Sequence, residues 1–323
     1  MSETGLDYIL KTVHCRPIIA LAPLAGLTDH PFRKICTRFG ADFAVTEMIS
    51  SEALIRRVPK TLHMLKYVDE EPRTLVQIMG SSPKVMAEAA KIAEDLGAMA
   101  IDINMGCPEK RIVSQGAGSA LLKDPERAVQ IVKEVVKAVD LPVTVKIRLG
   151  WGHGEFQAKE LVKVFENLGI KMVVIHARTR NQMFRGTPNW LALSSISQDL
   201  KIPLIANGDV VNSATFKSCL SQAKAQGVMI GRGALGRPWI FSQLNATSNE
   251  APKEEMLHMH KDLILEHLHS IISFYGSHRA ITPLRLHLSW YSKGLKGSAK
   301  FRETLTRTQS PSSMINEFEK FIV

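Results

Sequence analysis

The stretch Ala98-Met99-Ala100-Ile101-Asp102-Ile103-Asn104-Met105-Gly106-Cys107-Pro108 decides the fold, because it joins an apolar run to an abrupt polar end. Its first part has the length and composition of a buried strand, and a glycine and a proline then end that strand in a turn. In α/β proteins the loops after the carboxyl ends of parallel strands carry the chemistry. We therefore expect Cys107 to be a reactive thiol, on a loop that Gly116 and Gly118 leave able to move.

Seven further runs of this kind occur in the first three quarters of the chain, and helical patterns separate most of them. The eight predicted strands are residues 18–23, 43–48, 74–79, 100–105, 142–148, 172–176, 203–207 and 227–231. Such alternation indicates parallel strands with crossover helices, and eight units in about 230 residues are typical of a (β/α)8 TIM barrel. A doubly wound open sheet is the alternative, but no G-x-G-x-x-G follows the first run.

The pattern changes after Leu244, where a polar, turn-rich stretch is followed by apolar residues at helical spacing only. We expect a catalytic barrel over residues 1–244, a linker over 245–254 and a small all-α domain over 255–323. This α/β barrel followed by a helical domain is the predicted architecture.

Composition excludes several protein classes. The chain of 323 residues is 45% hydrophobic and 22% charged, which is ordinary for a globular protein and excludes disordered and fibrous classes. The first residues do not resemble a signal peptide, and no run approaches the roughly 18 apolar residues of a membrane span. We expect a cytoplasmic protein without membrane contact. The four cysteines are widely spaced, so we expect reduced thiols and no metal site.

The net charge of +10 is concentrated near the C-terminus. Between Arg279 and Arg307 there are seven Lys or Arg residues against one acid, interleaved with Trp290, Tyr291 and Phe301. Cations mixed with rings are typical of RNA-binding surfaces, although a basic run is also compatible with a solvated face. Six of the eleven histidines lie between His258 and His287, and their spacing favours solvated or hydrogen-bonded side chains over metal ligands.

Polar residues recur where the predicted strands end, which is where a barrel builds its active site. Lys146 interrupts an apolar strand, so it must meet a partner or a cavity, a structural ion pair being the alternative. Glycines and Arg232 follow the last two strands, where such barrels commonly hold a phosphate. With the amide of Gln77, these features predict flavin mononucleotide (FMN), with Lys146 near N1 of the ring and Gln77 at its pyrimidine edge.

The ordered set of motifs resembles one family closely, the tRNA-dihydrouridine synthases, and within it the bacterial B-type subgroup. The motifs that carry this resemblance span nearly the whole chain: 22–29 (APLAGLTD), 76–80 (VQIMG), 102–108 (DINMGCP), 118–122 (GSALL), 145–148 (VKIR), 176–180 (HARTR), 206–209 (ANGD), 229–232 (MIGR) and 236–239 (GRPW). The resemblance implies an FMN-bearing barrel and a helical tRNA-binding domain. It also implies reduction of the C5–C6 double bond of D-loop uridines with NADPH, at the seventeenth tRNA nucleotide if the B-type resemblance holds.

The resemblance also implies a role for each matching residue. Cys107 is then the general acid. The residues expected to hold FMN are Pro23, Leu24, Ala25, Gln77, Lys146, His176, Asn207, Gly208, Asp209, Gly231 and Arg232. The residues expected to face the uridine or the tRNA are Asn104, Arg148, Arg178, Arg180, Arg285, His287, Lys293 and Lys296.

The chemistry of the residues agrees with that reading. Hydride transfer to C6 of a uracil leaves an enolate that needs a proton at C5, and a neutral thiol on a loop can supply it. One alternative is an enzyme like dihydroorotate or dihydropyrimidine dehydrogenase, which acts on a free base and needs no basic RNA platform. Another is an RNA-binding regulator with a vestigial barrel. A monomer with tRNA as its partner is expected.

Overall fold

A computed structural model describes residues 5–12, 15–71, 73–246 and 251–322. Nine short parallel strands form a closed barrel at its centre. The strands are β1 (Ile18–Leu21), β2 (Phe43–Val45), β3 (Ile49–Ser50), β4 (Thr74–Met79), β5 (Ile101–Met105), β6 (Val143–Arg148), β7 (Met172–His176), β8 (Leu204–Asn207) and β9 (Gly227–Ile230).

The barrel closes because β1 pairs with β9 on one side, Ile18 opposite Gly227, and with β2 on the other. Both β2 and β3 pair with β4, so together they occupy a single position in an eight-membered ring. The predicted (β/α)8 barrel is therefore confirmed.

The second strand is shorter than predicted, because side chains interrupt it. The Thr46 hydroxyl accepts a hydrogen bond from the Gln77 N–H at 3.0 Å, and the Glu47 carboxylate accepts one from the Gly26 N–H in the loop after β1. These contacts turn the chain between β2 and β3 and draw the loop after β1 towards the carboxyl end of the barrel.

In the part of the chain that the structure describes, ten α-helices lie between the strands or follow the last one, and one precedes them all. In chain order they are α1 (Gly5–Thr12), α2 (His30–Arg38), α3 (Ser51–Ile55), α4 (Pro59–Met64), α5 (Pro83–Asp95), α6 (Lys110–Val113), α7 (Pro125–Ala138), α8 (Ala158–Asn167), α9 (Leu191–Asp199), α10 (Ser213–Ala223) and α11 (Ile240–Asn245). The apolar spacing of residues 83–96 and 125–139 predicts two helices, and these correspond to α5 and α7. The start of α7 follows from its sequence, because Asp124 accepts a hydrogen bond from the Arg127 N–H and Pro125 occupies the first turn.

The interior of the barrel is apolar at one end and polar at the other. Towards the amino ends of the strands, Phe43, Leu75 and Met172 fill the interior, and Leu6 of α1 packs against this cluster. Towards the carboxyl ends, inward positions carry polar side chains such as Lys146 and Asn207. Desolvated polar groups therefore gather at one end, which is where a ligand can reach them.

Within residues 251–322, five further helices form the C-terminal region: α12 (Lys253–Met259), α13 (Lys261–Tyr275), α14 (Ser277–Ser292), α15 (Ser298–Arg307) and α16 (Pro311–Phe321). The predicted linker 245–254 is partly wrong, since Asn245 ends α11 and Lys253 begins α12; residues 247–250 lie outside the described residues. The region packs on α2 of the barrel, where Tyr275 donates a hydrogen bond to Asp29 at 3.0 Å.

Two features are absent from the described ranges. None of their helices is both long and apolar enough to cross a membrane. None of their His, Cys, Asp and Glu side chains form a group of three or more that could hold a metal ion.

Candidate active site

A cavity of about 520 Å³ opens at the carboxyl end of the barrel. Neighbouring strands supply its polar side chains in aligned register. Asn104 on β5 pairs with Lys146 on β6, and one row further out His176 on β7 pairs with both Arg148 and Asn207. Because each of these strands contributes inward side chains near its end, groups distant in sequence share one pocket.

A buried hydrogen-bond network supports the floor of the cavity. The Asp102 carboxylate accepts from the Thr144 hydroxyl at 2.6 Å and from the Gln77 amide at 2.7 Å. Gln77 in turn accepts from the Asn104 amide at 2.7 Å, and the Asn104 carbonyl accepts from the Cys107 N–H at 3.0 Å. This chain of bonds orients Gln77 and ties the position of Cys107 to the interior of the barrel.

Cys107 is half-buried on the cavity wall, and its backbone is held from the following loop. Its carbonyl oxygen accepts hydrogen bonds from the N–H and the hydroxyl of Ser119, at 3.0 and 2.9 Å. Burial raises the pKa of the Cys107 thiol above its ordinary value of 9.0. The side chain is therefore protonated at neutral pH, which suits a proton donor and not a thiolate nucleophile.

Gly118 has a different role from the one we expected. From the sequence we expected Gly118 to leave the loop able to move, but the residue is buried and has a φ of +61°. A Cβ atom there would lie 2.8 Å from the Cys107 carbonyl oxygen. Glycine is required at this position for close packing against Cys107.

Lys146 points into the cavity wall and donates a hydrogen bond to the side-chain oxygen of Asn207 at 3.1 Å. Burial and the nearby Arg148 lower the pKa of Lys146 to about 8, although the Asp102 carboxylate opposes the shift. An ammonium has three N–H donors, so donors remain for an acceptor in the cavity. A desolvated lysine of this kind is stabilised by a ligand that offers lone pairs or negative charge.

Two more basic groups line the same wall. Burial, with Arg148 and Lys146 nearby, lowers the pKa of His176 well below 6.5, so the imidazole is neutral at physiological pH. Arg148 donates to the carbonyl oxygens of Gly106 at 2.7 Å and Met183 at 2.7 Å. Arg148 therefore braces the Cys107 loop as well as facing the cavity.

The loops after β8 and β9 meet through an ionic cluster. The Asp209 carboxylate pairs with Arg178 on one side and with Arg232 at 2.7 Å on the other. Arg178 and Arg232, with hydrogen bonding added, lower the pKa of Asp209 although partial burial opposes them. The cluster joins the two loops in which we expected phosphate binding.

The structure brings all the residues predicted for the cofactor, together with Cys107, Asn104, Arg148 and Lys293, into this one cavity. Arg178 and Arg180 are not among the residues that line it. Arg178 is only 1% exposed and donates to loop carbonyls and to Asp209, so its predicted contact with substrate is corrected to a role in positioning. Arg180 instead lies against the Trp151 ring, its guanidinium carbon 4.8 Å from the ring centroid.

The residues predicted for tRNA in the helical region do not share one environment. His287 is 1% exposed and packs against Phe32, with the ring centroids 5.0 Å apart, so its predicted contact with RNA is wrong. The expectation of a solvated or hydrogen-bonded histidine also fails there, since neither ring nitrogen of His287 has a recorded partner in the described part of the chain. Arg285 is half-buried and donates to the carbonyl oxygens of Leu305 and Thr308 at the end of α15. Lys296 is exposed outside the cavity.

Sequence reasoning missed three residues of the site. Asp102 holds Gln77, and its signal was the same as for Lys146, a charged residue within an apolar strand. The Phe184 ring is 48% exposed and lies on the cavity wall between Arg148 and Arg232. Trp290 reaches the cavity from the helical region, which no local pattern indicated.

Known proteins that are similar to this chain over nearly its whole length are dihydrouridine synthases. The family model described as "Dihydrouridine synthase (Dus)" matches residues 20–323. A Rickettsia bellii protein named "Probable tRNA-dihydrouridine synthase" is 41% identical over 307 residues, which are 94% of each chain. The "tRNA-dihydrouridine synthase B" of Xanthomonas campestris is 39% identical, over 93% of this chain and 91% of its own.

Solved structures support the fold. A 2-naphthoyl-CoA reductase complex superposes with a TM-score of 0.56 at 12% identity, covering 72% of this chain and 52% of its own. Histamine dehydrogenase from Rhizobium sp. 4-9 gives a TM-score of 0.54 at 12% identity, covering 84% and 49%. At this level of identity the similarity concerns the fold alone.

Proposed function

The chain belongs to the dihydrouridine synthase family of tRNA-modifying enzymes, and we propose that it reduces the C5–C6 double bond of a D-loop uridine using FMN and NADPH. The observation that carries the proposal is the shared cavity of Cys107, Lys146 and the two loops after β8 and β9. It combines a proton donor, a desolvated cation and a basic loop pair at the end of a barrel.

The residues present fit FMN. Lys146 has donors left for a flavin ring, and Gln77 keeps one N–H and one lone pair beyond its bonds to Asp102 and Asn104. Pro23 and Ala25 from the loop after β1 supply an apolar wall, and Arg232 supplies positive charge for the phosphate. When bound there, FMN supplies a hydride for C6 of the uracil.

Cys107 donates the proton that C5 needs. Its thiol is protonated because burial raises its pKa, and the network through Asn104 and Ser119 holds its backbone in place. Neutral His176 and cationic Arg148 face the same space. These groups can hydrogen-bond the uracil oxygens and stabilise the negative charge that develops on O4.

The tRNA is the proposed macromolecular partner. A uridine must leave its stack to enter the cavity, and contacts elsewhere must offset that cost. The exposed cations of the helical region, Lys296 among them, lie on the part of the chain that borders the cavity mouth through Trp290 and Lys293. Following the B-type resemblance, we expect the uridine at nucleotide 17 of the D-loop to be the one that is reduced. We also expect the protein to act as a monomer.

The test separates the two half-reactions. Wild type and Cys107→Ala should both bind FMN and be reduced by NADPH, because Cys107 acts only on the substrate. Reoxidation by unmodified tRNA, followed by flavin absorbance and by dihydrouridine in the tRNA, should fall by roughly 10²–10⁴-fold in the variant.

A buried cysteine provides the control. Cys219→Ala changes a thiol that is packed away from the cavity, and it should reoxidise with tRNA at the wild-type rate. Normal tRNA reduction by Cys107→Ala would exclude the proposed role. Reoxidation by free uracil as fast as by tRNA would favour the free-base alternative.

A further inference from the structure

The C-terminal end of α14 lies against the loop after β9. Gly236 in this loop has a φ of +65°, and a Cβ atom there would lie 2.2 Å from the Trp290 carbonyl oxygen. No other residue type permits this approach without displacing one of the two segments. The contact brings a part of the helical region to the mouth of the barrel.

A half-buried lysine holds the same helix end. The Lys253 ammonium donates to the carbonyl oxygens of Trp290 at 2.8 Å and Lys293 at 3.0 Å. The Lys293 ammonium lies 4.6 Å from the centroid of the Trp290 ring, and both side chains line the cavity. Lys293 is exposed, but these contacts also place it at the wall of the cavity.

Positive charge accumulates where this helix end meets the barrel loops. Burial, together with the nearby cations Arg237 and Lys293, lowers the pKa of Lys253 to about 8. The Arg237 guanidinium also donates to the carbonyl of Val211, a cavity residue, at 3.3 Å. Lys253 lies against the backbone of Lys293 beside the cavity, and two neighbouring ammonium groups there are stabilised by a bound anion.

The Asp209 carboxylate, which lines the cavity, is already neutralised by arginine side chains. Asp209 is shared between Arg178 and Arg232, so the three groups together carry one net positive charge. A phosphate monoester carries about 1.5 to 2 negative charges at neutral pH. One more cation would balance it. In the proposed site Lys146 serves the flavin ring and Arg148 holds the Cys107 loop, which leaves Lys293, a residue that lines the same cavity as Arg232.

We propose that Lys293 binds the phosphate of FMN, so that the helical region completes the cofactor site of the barrel. This inference rests on the proposed function, because it takes FMN as the cofactor. It reassigns Lys293, which the basic run alone placed in the tRNA surface.

The test compares FMN with riboflavin, which has the same ring without the phosphate. Dissociation constants of both flavins are measured by fluorescence quenching on apoprotein of wild type, Lys293→Ala, Lys293→Arg and Lys133→Ala. Lys133 is an exposed lysine on α7 outside the cavity and controls for the loss of a surface charge.

We expect Lys293→Ala to weaken FMN binding about tenfold and to leave riboflavin binding unchanged. Lys293→Arg should restore most of the FMN affinity, and Lys133→Ala should behave as wild type. An equal loss for both flavins would overturn the proposal, because Lys293 would then only shape the wall. Unchanged FMN affinity would also overturn it, and weaker tRNA binding by the same variant would return Lys293 to the RNA surface.

The proposed function fails in a different way. If wild type binds neither flavin, or binds FMN no better than riboflavin, then FMN is not its cofactor. If wild type prefers FMN and Lys293→Ala keeps that preference, only the inference about Lys293 is lost.

Discussion

A Cβ atom on Gly118 would lie 2.8 Å from the carbonyl oxygen of Cys107 and 3.2 Å from its Cβ. The loop that follows the proposed proton donor is therefore packed directly on it. Ser119, the next residue, completes the contact with two hydrogen bonds to the same carbonyl. The position of the thiol depends on this packing as much as on the strand that precedes it.

Gly118→Ala should displace Cys107 and lower the rate of tRNA reduction at least about tenfold, since small misplacements of a reacting group are costly. FMN binding should change little. Gly116→Ala is the matched control, because Gly116 also has a positive φ, +72°, but its added Cβ meets the flexible Arg127 side chain at 3.3 Å. Single-turnover reoxidation by tRNA measures the effect, and equal losses in both variants would contradict it.

Lys146 should make flavin binding depend on pH. Because its pKa is lowered to about 8, its ammonium form predominates below pH 8 and is lost as the pH rises through that value. Riboflavin affinity of wild type should therefore weaken severalfold between about pH 7 and pH 9. Riboflavin is used because it lacks the phosphate. Lys146→Met should bind more weakly at pH 7 without this pH dependence, and the same slope in both proteins would exclude Lys146 as its source.

His287 should destabilise the protein in acid. Burial lowers its pKa to about 4, from 6.5 for a solvated histidine, so the unfolded chain binds a proton that the folded chain does not. The free energy of unfolding should fall as the pH drops from 6.5 towards 4, by at most roughly 3 kcal/mol from this residue.

Urea unfolding at several pH values checks this prediction. His287→Leu should flatten the pH dependence, while His258→Leu, at an exposed position of α12, should leave it unchanged. His267 contributes in the same direction, because burial and the neighbouring His287 lower its pKa as well. An identical pH dependence in wild type and His287→Leu would refute the assignment.

Affinity for tRNA should fall steeply with salt, as expected when several phosphates are neutralised. Lys296→Ala should weaken binding and reduce the slope of log affinity against log salt by about 0.7 to 0.9. Arg285→Ala should mainly lower stability, because its guanidinium bonds to two carbonyls at the end of α15. Filter binding across a salt series tests both, and a changed slope in Arg285→Ala alone would reverse the two roles.

The sequence by itself determined the barrel, the residues at the strand ends and the family. Strand and helix patterns are local, and in a closed parallel barrel every strand ends at the same rim. The predicted strand ends are therefore enough to predict that Gln77, Lys146 and Asn207 share one cavity, as they do. The second strand was predicted too long, because Glu47 bonds to Gly26 in a loop 21 residues earlier in the chain.

The tertiary structure alone decided which basic and aromatic residues are available to a ligand. His287 and Arg178 lie within motifs that predict binding residues, yet both are buried, His287 against Phe32 and Arg178 in an ion pair with Asp209. Trp290 and Lys293 reach the cavity because a glycine in the barrel loop admits the end of α14. Burial and close approach are properties of packed elements, so they have no signature in the sequence pattern of either segment.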